Sequence, residues 1–265
     1  MKHLTRLALL AALCCLSLAP LARAAEKTPE QKLLNKHQNA LVTVKMLLKI
    51  KGSDQNQELE ISGTMISADG LVLVSNFAIG GRVTQIKQTD IKVLIGKDSQ
   101  GLPAKLLTKD PDLDLAWIKI LPPKAKAKDA KKDASKNKQP KAPFAYVNLK
   151  NSVKATLGQS LMTLRKLDKN FGKAPVISYG KLIGNTTKPR KLMIVSPLLV
   201  QGVLSHPIFT QDAKLIGFNV FQFTNAQARA PFRQTGLVLS ASKVAYATKK
   251  ALAIAAEDDD QDSKD

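Results

Sequence analysis

The chain has almost no cysteine, little histidine and few aromatic residues, and each shortage closes off a class of function. Its two cysteines, Cys14 and Cys15, both lie inside the first 24 residues. That segment has a basic start (Lys2, Arg6), an apolar run from Leu7 to Ala19 and the small-residue pattern Ala22-Arg23-Ala24, so 1–24 reads as a secretory signal peptide with the mature chain beginning near Ala25. The apolar run, about a dozen residues, is well short of the roughly 20 needed to span a bilayer, which argues against an anchor and leaves no transmembrane segment in the mature chain. Leu13 precedes Cys14 where lipidation expects a small residue. With the leader removed no cysteine remains, so an exported (periplasmic or secreted) protein would have no disulfide framework and must rely on a hydrophobic core. Of three histidines, His3 leaves with the leader and only His37 and His206 stay. Neither has an Asp or Glu at ligand spacing, so no metal is expected, and no cofactor either. Aromatics make up 5% of the chain and do not interleave with the lysines, which argues against a stacking platform for single-stranded nucleic acid.

What is present in excess is positive charge. The formal charge is +20, and loss of Lys2, Arg6 and Arg23 lowers it to +17. Residues 124–141 hold eight lysines against Asp129 and Asp133, a net +6 with almost no large apolar side chain, and read as a disordered solvated loop. The tail 257–265 carries six acids and Lys264, hence −5, and also reads as disordered. About +16 is therefore left on the body of the protein. Such a field serves solubility, and it also attracts anionic partners outside the cytoplasm: lipid head groups, acidic polymers or nucleic acid.

About 240 residues at 44% apolar composition can build one large β-domain or two small ones. A short helix is expected at 31–39, then strands at 41–44, 59–67, 71–75, 91–95 and 116–120, with Ala68-Asp69-Gly70 as a tight hairpin turn. Beyond the lysine-rich stretch, strands are expected at 145–149, 160–164, 176–182, 192–195, 215–221 and 235–239. Helical character returns only at 241–256. The pattern predicts an antiparallel all-β protein, either two barrels or one sandwich, with a C-terminal helix.

Three segments carry a resemblance. Ser62 to Ile79, including Asp69-Gly70 and Ser75-Asn76-Phe77, resembles the histidine-bearing segment of HtrA/Deg-type trypsin-like serine proteases, which runs Ser-Gly-x-Ile-Ile-Ser-x-Asp-Gly-Tyr-Ile-Leu-Thr-Asn-x-His-Val-Val. Asp110-Pro111-Asp112-Leu113-Asp114-Leu115-Ala116 resembles the aspartate segment of that family, and Gly202 to Phe209, followed by Leu215-Ile216-Gly217-Phe218-Asn219, resembles its nucleophile loop and the strand after it. The resemblance implies two antiparallel six-stranded β-barrels: barrel 1 at about 40–121, barrel 2 at about 144–240, and a helix at 241–256, all within one domain spanning 25–256. The roughly 25 residues after the last strand leave no length for the PDZ domain that family members often carry.

The same match removes the mechanism. Serine proteolysis needs a hydroxyl, an imidazole that takes its proton and a carboxylate that orients the imidazole. The matching positions here are Phe77, Asp114 and Leu204, a degenerate triad. Ser205 and His206 stand where the loop has its two glycines, which puts the oxyanion turn in doubt. They make a poor shifted pair, because adjacent side chains of an extended segment point to opposite faces. Phe77 and Leu204 are expected to touch and fill the former catalytic pocket, each contributing roughly 1.5–3 kcal/mol by burial. Asp114 is expected to cap local backbone N–H groups or face water. The expected function is an inactive protease homologue that binds or scaffolds. Its partner would be a protein or peptide in the barrel cleft or along a strand edge. The alternatives are a basic envelope protein that binds anionic polymer and an active endopeptidase with an unrecognised nucleophile.

Overall fold

The computed structural model of the protein describes residues 27–53, 56–81, 83–96, 98–122, 143–200, 204–222 and 236–262, with side chains as far as 257. The expected signal peptide (1–24) and lysine-rich loop (124–141) lie outside the described residues.

The first element among the described residues is α1, Pro29–His37. Its first turn is built by a capping box. Thr28 Oγ1 accepts from the Gln31 N–H (3.3 Å), and Gln31 Oε1 accepts from the Thr28 N–H (3.1 Å), satisfying two donors that a helix start leaves open. Six strands follow: β1 Leu41–Ile50, β2 Asn56–Met65, β3 Leu71–Ser75, β4 Ile86–Ile95, β5 Leu102–Asp110 and β6 Leu115–Ile120. They close in the order β1-β2-β3-β6-β5-β4, every pair antiparallel. A second closed antiparallel barrel, ordered β10-β11-β12-β9-β8-β7, is made by β7 Ser160–Lys166, β8 Pro175–Asn185, β9 Met193–Val195, β10 Pro207–Thr210, β11 Leu215–Val220 and β12 Gly236–Ser240. A one-turn helix α2, Pro197–Val200, separates β9 from β10, and α3, Ala241–Asp262, ends the described chain. The architecture is all-β, two six-stranded barrels and a C-terminal helix.

Strand chemistry follows position in the barrels. In β1 the buried residues Val42, Val44, Met46 and Leu48 alternate with half-exposed neighbours, as expected for a wall with one wet face. In β3, β10 and β11 every residue is buried, because the outer face of these strands is covered as well. The β2–β3 turn needs Gly70 at φ +91°, which a side chain would strain, and there the Ile66 N–H donates to the Leu71 carbonyl (2.8 Å). Gly217 serves closeness instead: a Cβ there would lie 2.2 Å from the Leu239 carbonyl oxygen.

One apolar cluster fills barrel 1 (Val44, Leu73, Ile118), crosses to Met162, Phe209 and Phe218 of barrel 2 and reaches Val244 and Ala251 of α3. A smaller one, with Leu161, Leu182, Ile208 and Ile216, belongs to barrel 2 alone. The small buried residues Ala241, Val244, Ala247, Ala251 and Ala255 recur at helical spacing and let α3 lie close to the barrels. Trp117 Nε1 donates to Thr248 Oγ1 (3.0 Å), and that hydroxyl donates to the Val244 carbonyl (2.8 Å).

Three expectations need correction. α3 runs past 256 to Asp262, so most of the expected disordered tail (257–265) is helical in backbone: once packing has nucleated a helix, each further residue adds a hydrogen bond at little cost. No strand was expected at β5, whose alternation is blurred by Pro103, Lys105 and a register shift between Leu106 and Thr108. The strand expected at 145–149 is instead an extended connection, held by the Phe144 N–H on the Ala68 carbonyl (2.8 Å) and the Val147 N–H on the Met65 carbonyl (2.9 Å).

Candidate functional site

The three positions singled out in the sequence sit on different elements. Phe77 follows the end of β3, Asp114 closes the turn into β6 with φ +59°, and Leu204 stands three residues before β10. Asp114 is fully buried, and its carboxylate is the centre of the site. Ser75 Oγ donates to it, 2.9 Å from both oxygens. The Phe77 N–H donates to Oδ1 (2.7 Å), and the Phe221 N–H donates to Oδ2 (2.7 Å). Ser75 Oγ accepts in turn from the Ala78 N–H (3.1 Å). Since Phe221 directly follows β11, one carboxylate fastens the end of a barrel 1 strand to the end of a barrel 2 strand. Charge-assisted bonds of this length are about twice as strong as neutral ones. The capping expected for Asp114 is present, but its reach to Phe221 was missed, for nothing in the local sequence marks a contact made across two barrels.

Phe77 departs from expectation. Its ring stacks on Phe221, with centroids 4.3 Å apart and planes 11° from parallel, and the residue stays 44% exposed. The full burial expected of Phe77 and Leu204 is not found: Leu204 is half-buried, and Phe77, stacked on an aromatic neighbour, stays exposed. An exposed ring also forgoes part of the burial energy expected of it.

Around the loop, Ser205 takes φ +60°, a left-handed conformation suited to the glycine that the family pattern has there. Its N–H donates to the Asn219 carbonyl (2.9 Å), and its own carbonyl accepts from Thr64 Oγ1 (3.1 Å). Its hydroxyl is buried with no hydrogen-bond partner among the described residues. His206 is buried too, and its Nδ1 lies 2.9 Å from the Leu204 carbonyl, so Nδ1 carries the proton and donates it there. Burial pushes the imidazole down to about 4, Arg165 adds to that, and the Leu204 carbonyl opposes it. The two neighbours are not brought together as nucleophile and base. Gly202 and Val203, on which the oxyanion turn would depend, lie outside the described residues.

The other histidine is also structural in geometry. His37, at the end of α1, stacks on Phe209 of β10 (4.5 Å, 24°) with Nε2 3.4 Å from the Ala213 carbonyl, and burial pushes it down to about 4. Among the described residues no group of three or more His, Cys, Asp or Glu is placed to hold a metal ion, and no helix is long and apolar enough to cross a membrane.

Two closed six-stranded antiparallel barrels joined by a shared core are consistent with a trypsin-like fold. No protein-family model matches the chain, and no curated protein matches it.

Proposed function

We propose that this is an exported, trypsin-fold relative of the HtrA/Deg-type proteases that no longer cleaves peptide bonds and acts as a binding or scaffolding module. The observation that carries the reading is the environment of Asp114. The carboxylate that would orient an imidazole lies beside Phe77, where it holds the Phe77 and Phe221 N–H groups, while position 204 offers only a leucine side chain. A partner peptide or protein would use the cleft between the barrels in preference to a strand edge, since barrel closure pairs each strand on both sides.

A fluorophosphonate probe tests this on the full chain after export. No labelling is expected under conditions that label an active serine hydrolase. Labelling that disappears in Ser205→Ala would establish an active hydrolase with a displaced nucleophile.

The abundance of lysine supports a second reading, an envelope protein that binds anionic polymers. That reading expects retention on heparin with a steep salt dependence, reduced by deleting 124–141.

A further inference from the structure

A cleft of about 550 Å³ opens between the barrels, away from Phe77, Asp114 and Leu204 and sharing no residue with them. Barrel 2 contributes Lys166, Lys169 and Lys173 from the end of β7 and its connection to β8, and barrel 1 contributes Glu60 and Asp98, among others. By count the cleft is only slightly basic, and one of its two acids, Asp98, is engaged by its own turn. Asp98 accepts from the Gln100 N–H (2.9 Å) and the Gly101 N–H (3.2 Å), holding its own turn. Glu60 stands opposite Lys45 across the β1–β2 ladder, where the Lys45 ammonium pairs with Glu58. The nearest acid in the lysine segment itself, Asp168, accepts from the Asn170 N–H (2.8 Å).

The lysines have no such partners: among the described residues none of the three forms an ion pair. Lys166 is half-buried, and its ammonium donates to the Leu41 carbonyl (2.7 Å), which fixes it at the cleft wall with two further donors. Burial, and after it the charge of Lys173, hold that ammonium below its ordinary value, while Lys169 lies within electrostatic reach of Glu58, a carboxylate already paired with Lys45. Lys173 also sits at φ +55°, where a lysine is strained and a glycine would not be. Its N–H donates to the Asp168 carbonyl (3.1 Å), which closes the connection and turns the residue toward the cleft wall that it lines.

We propose that this cleft binds a compact oxyanion of the phosphate class, free or as the phosphate end of a larger molecule, through the ammonium groups of Lys166, Lys169 and Lys173. A multiply charged anion can answer three ammonium groups at once, where a lone carboxylate answers one. Lysines reach it as flexible point charges. The site stands independently of the pseudoprotease reading.

Calorimetric titration of the full chain with sodium pyrophosphate, in about 50 mM salt to limit screening, tests it. Saturable one-site binding is expected, weakened about tenfold or more by Lys169→Ala with Lys173→Ala. Removing the same charge from exposed positions of α3, Lys243→Ala with Lys249→Ala, should leave it within about twofold. Lys173→Gly separates structure from binding: its Tm should hold or rise while affinity falls. Equal weakening by both double variants would reduce the effect to net charge and overturn the proposal. So would absence of saturable heat, or binding of long-chain polyphosphate without pyrophosphate. A phosphodiester oligomer with a terminal phosphate that binds more tightly than pyrophosphate would identify the ligand as a polymer end.

Discussion

Asp114 shows how a residue can keep its place in a site and still be explained by structure. Its oxygens receive two backbone N–H groups and a hydroxyl, all within 2.9 Å, and the backbone donors belong to opposite barrels. Asp114→Asn keeps the shape but turns one acceptor into a donor, which then faces either the Phe77 or the Phe221 N–H. One charge-assisted bond is lost and one buried N–H is left unpaired, so a loss of about 3 kcal/mol is expected, read as a lower urea midpoint at unchanged slope. The motif located this residue in the sequence, because the run from Asp110 to Ala116 is local. Its second anchor, Phe221, was not legible, and neither was the Phe77–Phe221 stack. Both depend on how two barrels meet, and a sequence reading that pairs Phe77 with Leu204 has only the family's geometry to work from.

At the level of elements, the strands most easily read are those with clean chemistry. β3 is an unbroken apolar run behind an Asp-Gly turn, and β11 carries Leu215 to Val220 around Gly217. β5 escaped because Pro103 and a bulge break its period, and β10 because its four residues lie inside what reads as a catalytic loop. The connection at 145–149 misled in the other direction: Val147 is apolar because it docks on β2, not because it belongs to a sheet. Gly217 allows a direct test of barrel 2 packing. In Gly217→Ala the new methyl meets the Leu239 carbonyl, a backbone atom that can yield only by parting β11 from β12. A destabilisation of at least about 2 kcal/mol is expected by thermal or chemical unfolding.

Across the whole molecule, two buried histidines touch β10 or the residues beside it, and neither is charged in the folded state at neutral pH. Both are held down to about 4, against an ordinary value of 6.5. Between those values the unfolded chain binds more protons than the folded one, so both contributions are complete above about pH 7 and are lost as pH falls from 6.5 to about 4. Each group accounts for a loss of about 3 kcal/mol by the bottom of that range. Unfolding followed from pH 7.5 to 4 should therefore show a steep fall in stability centred near pH 5, and His37→Gln should remove about half of it. A flat profile through that range would mean that the two imidazoles are hydrated in the native protein.

α1 comes first among the described elements but does not rest on the barrel that follows it alone. Glu30 accepts from the Tyr179 hydroxyl (2.6 Å), and both Lys36 and His37 reach the Ala213 carbonyl, which is 176 residues beyond His37. A chain emerging from its N-terminus makes barrel 1 long before it makes the surface that α1 needs. The contacts of α1 with Tyr179, Phe209 and Ala213 can form only once the second barrel is made, so α1 latches onto it late. A product cut short before β10 would leave His37 without Phe209 and Ala213 to cover it, which gives a quality-control protease an exposed N-terminal segment by which to tell an incomplete molecule from a complete one.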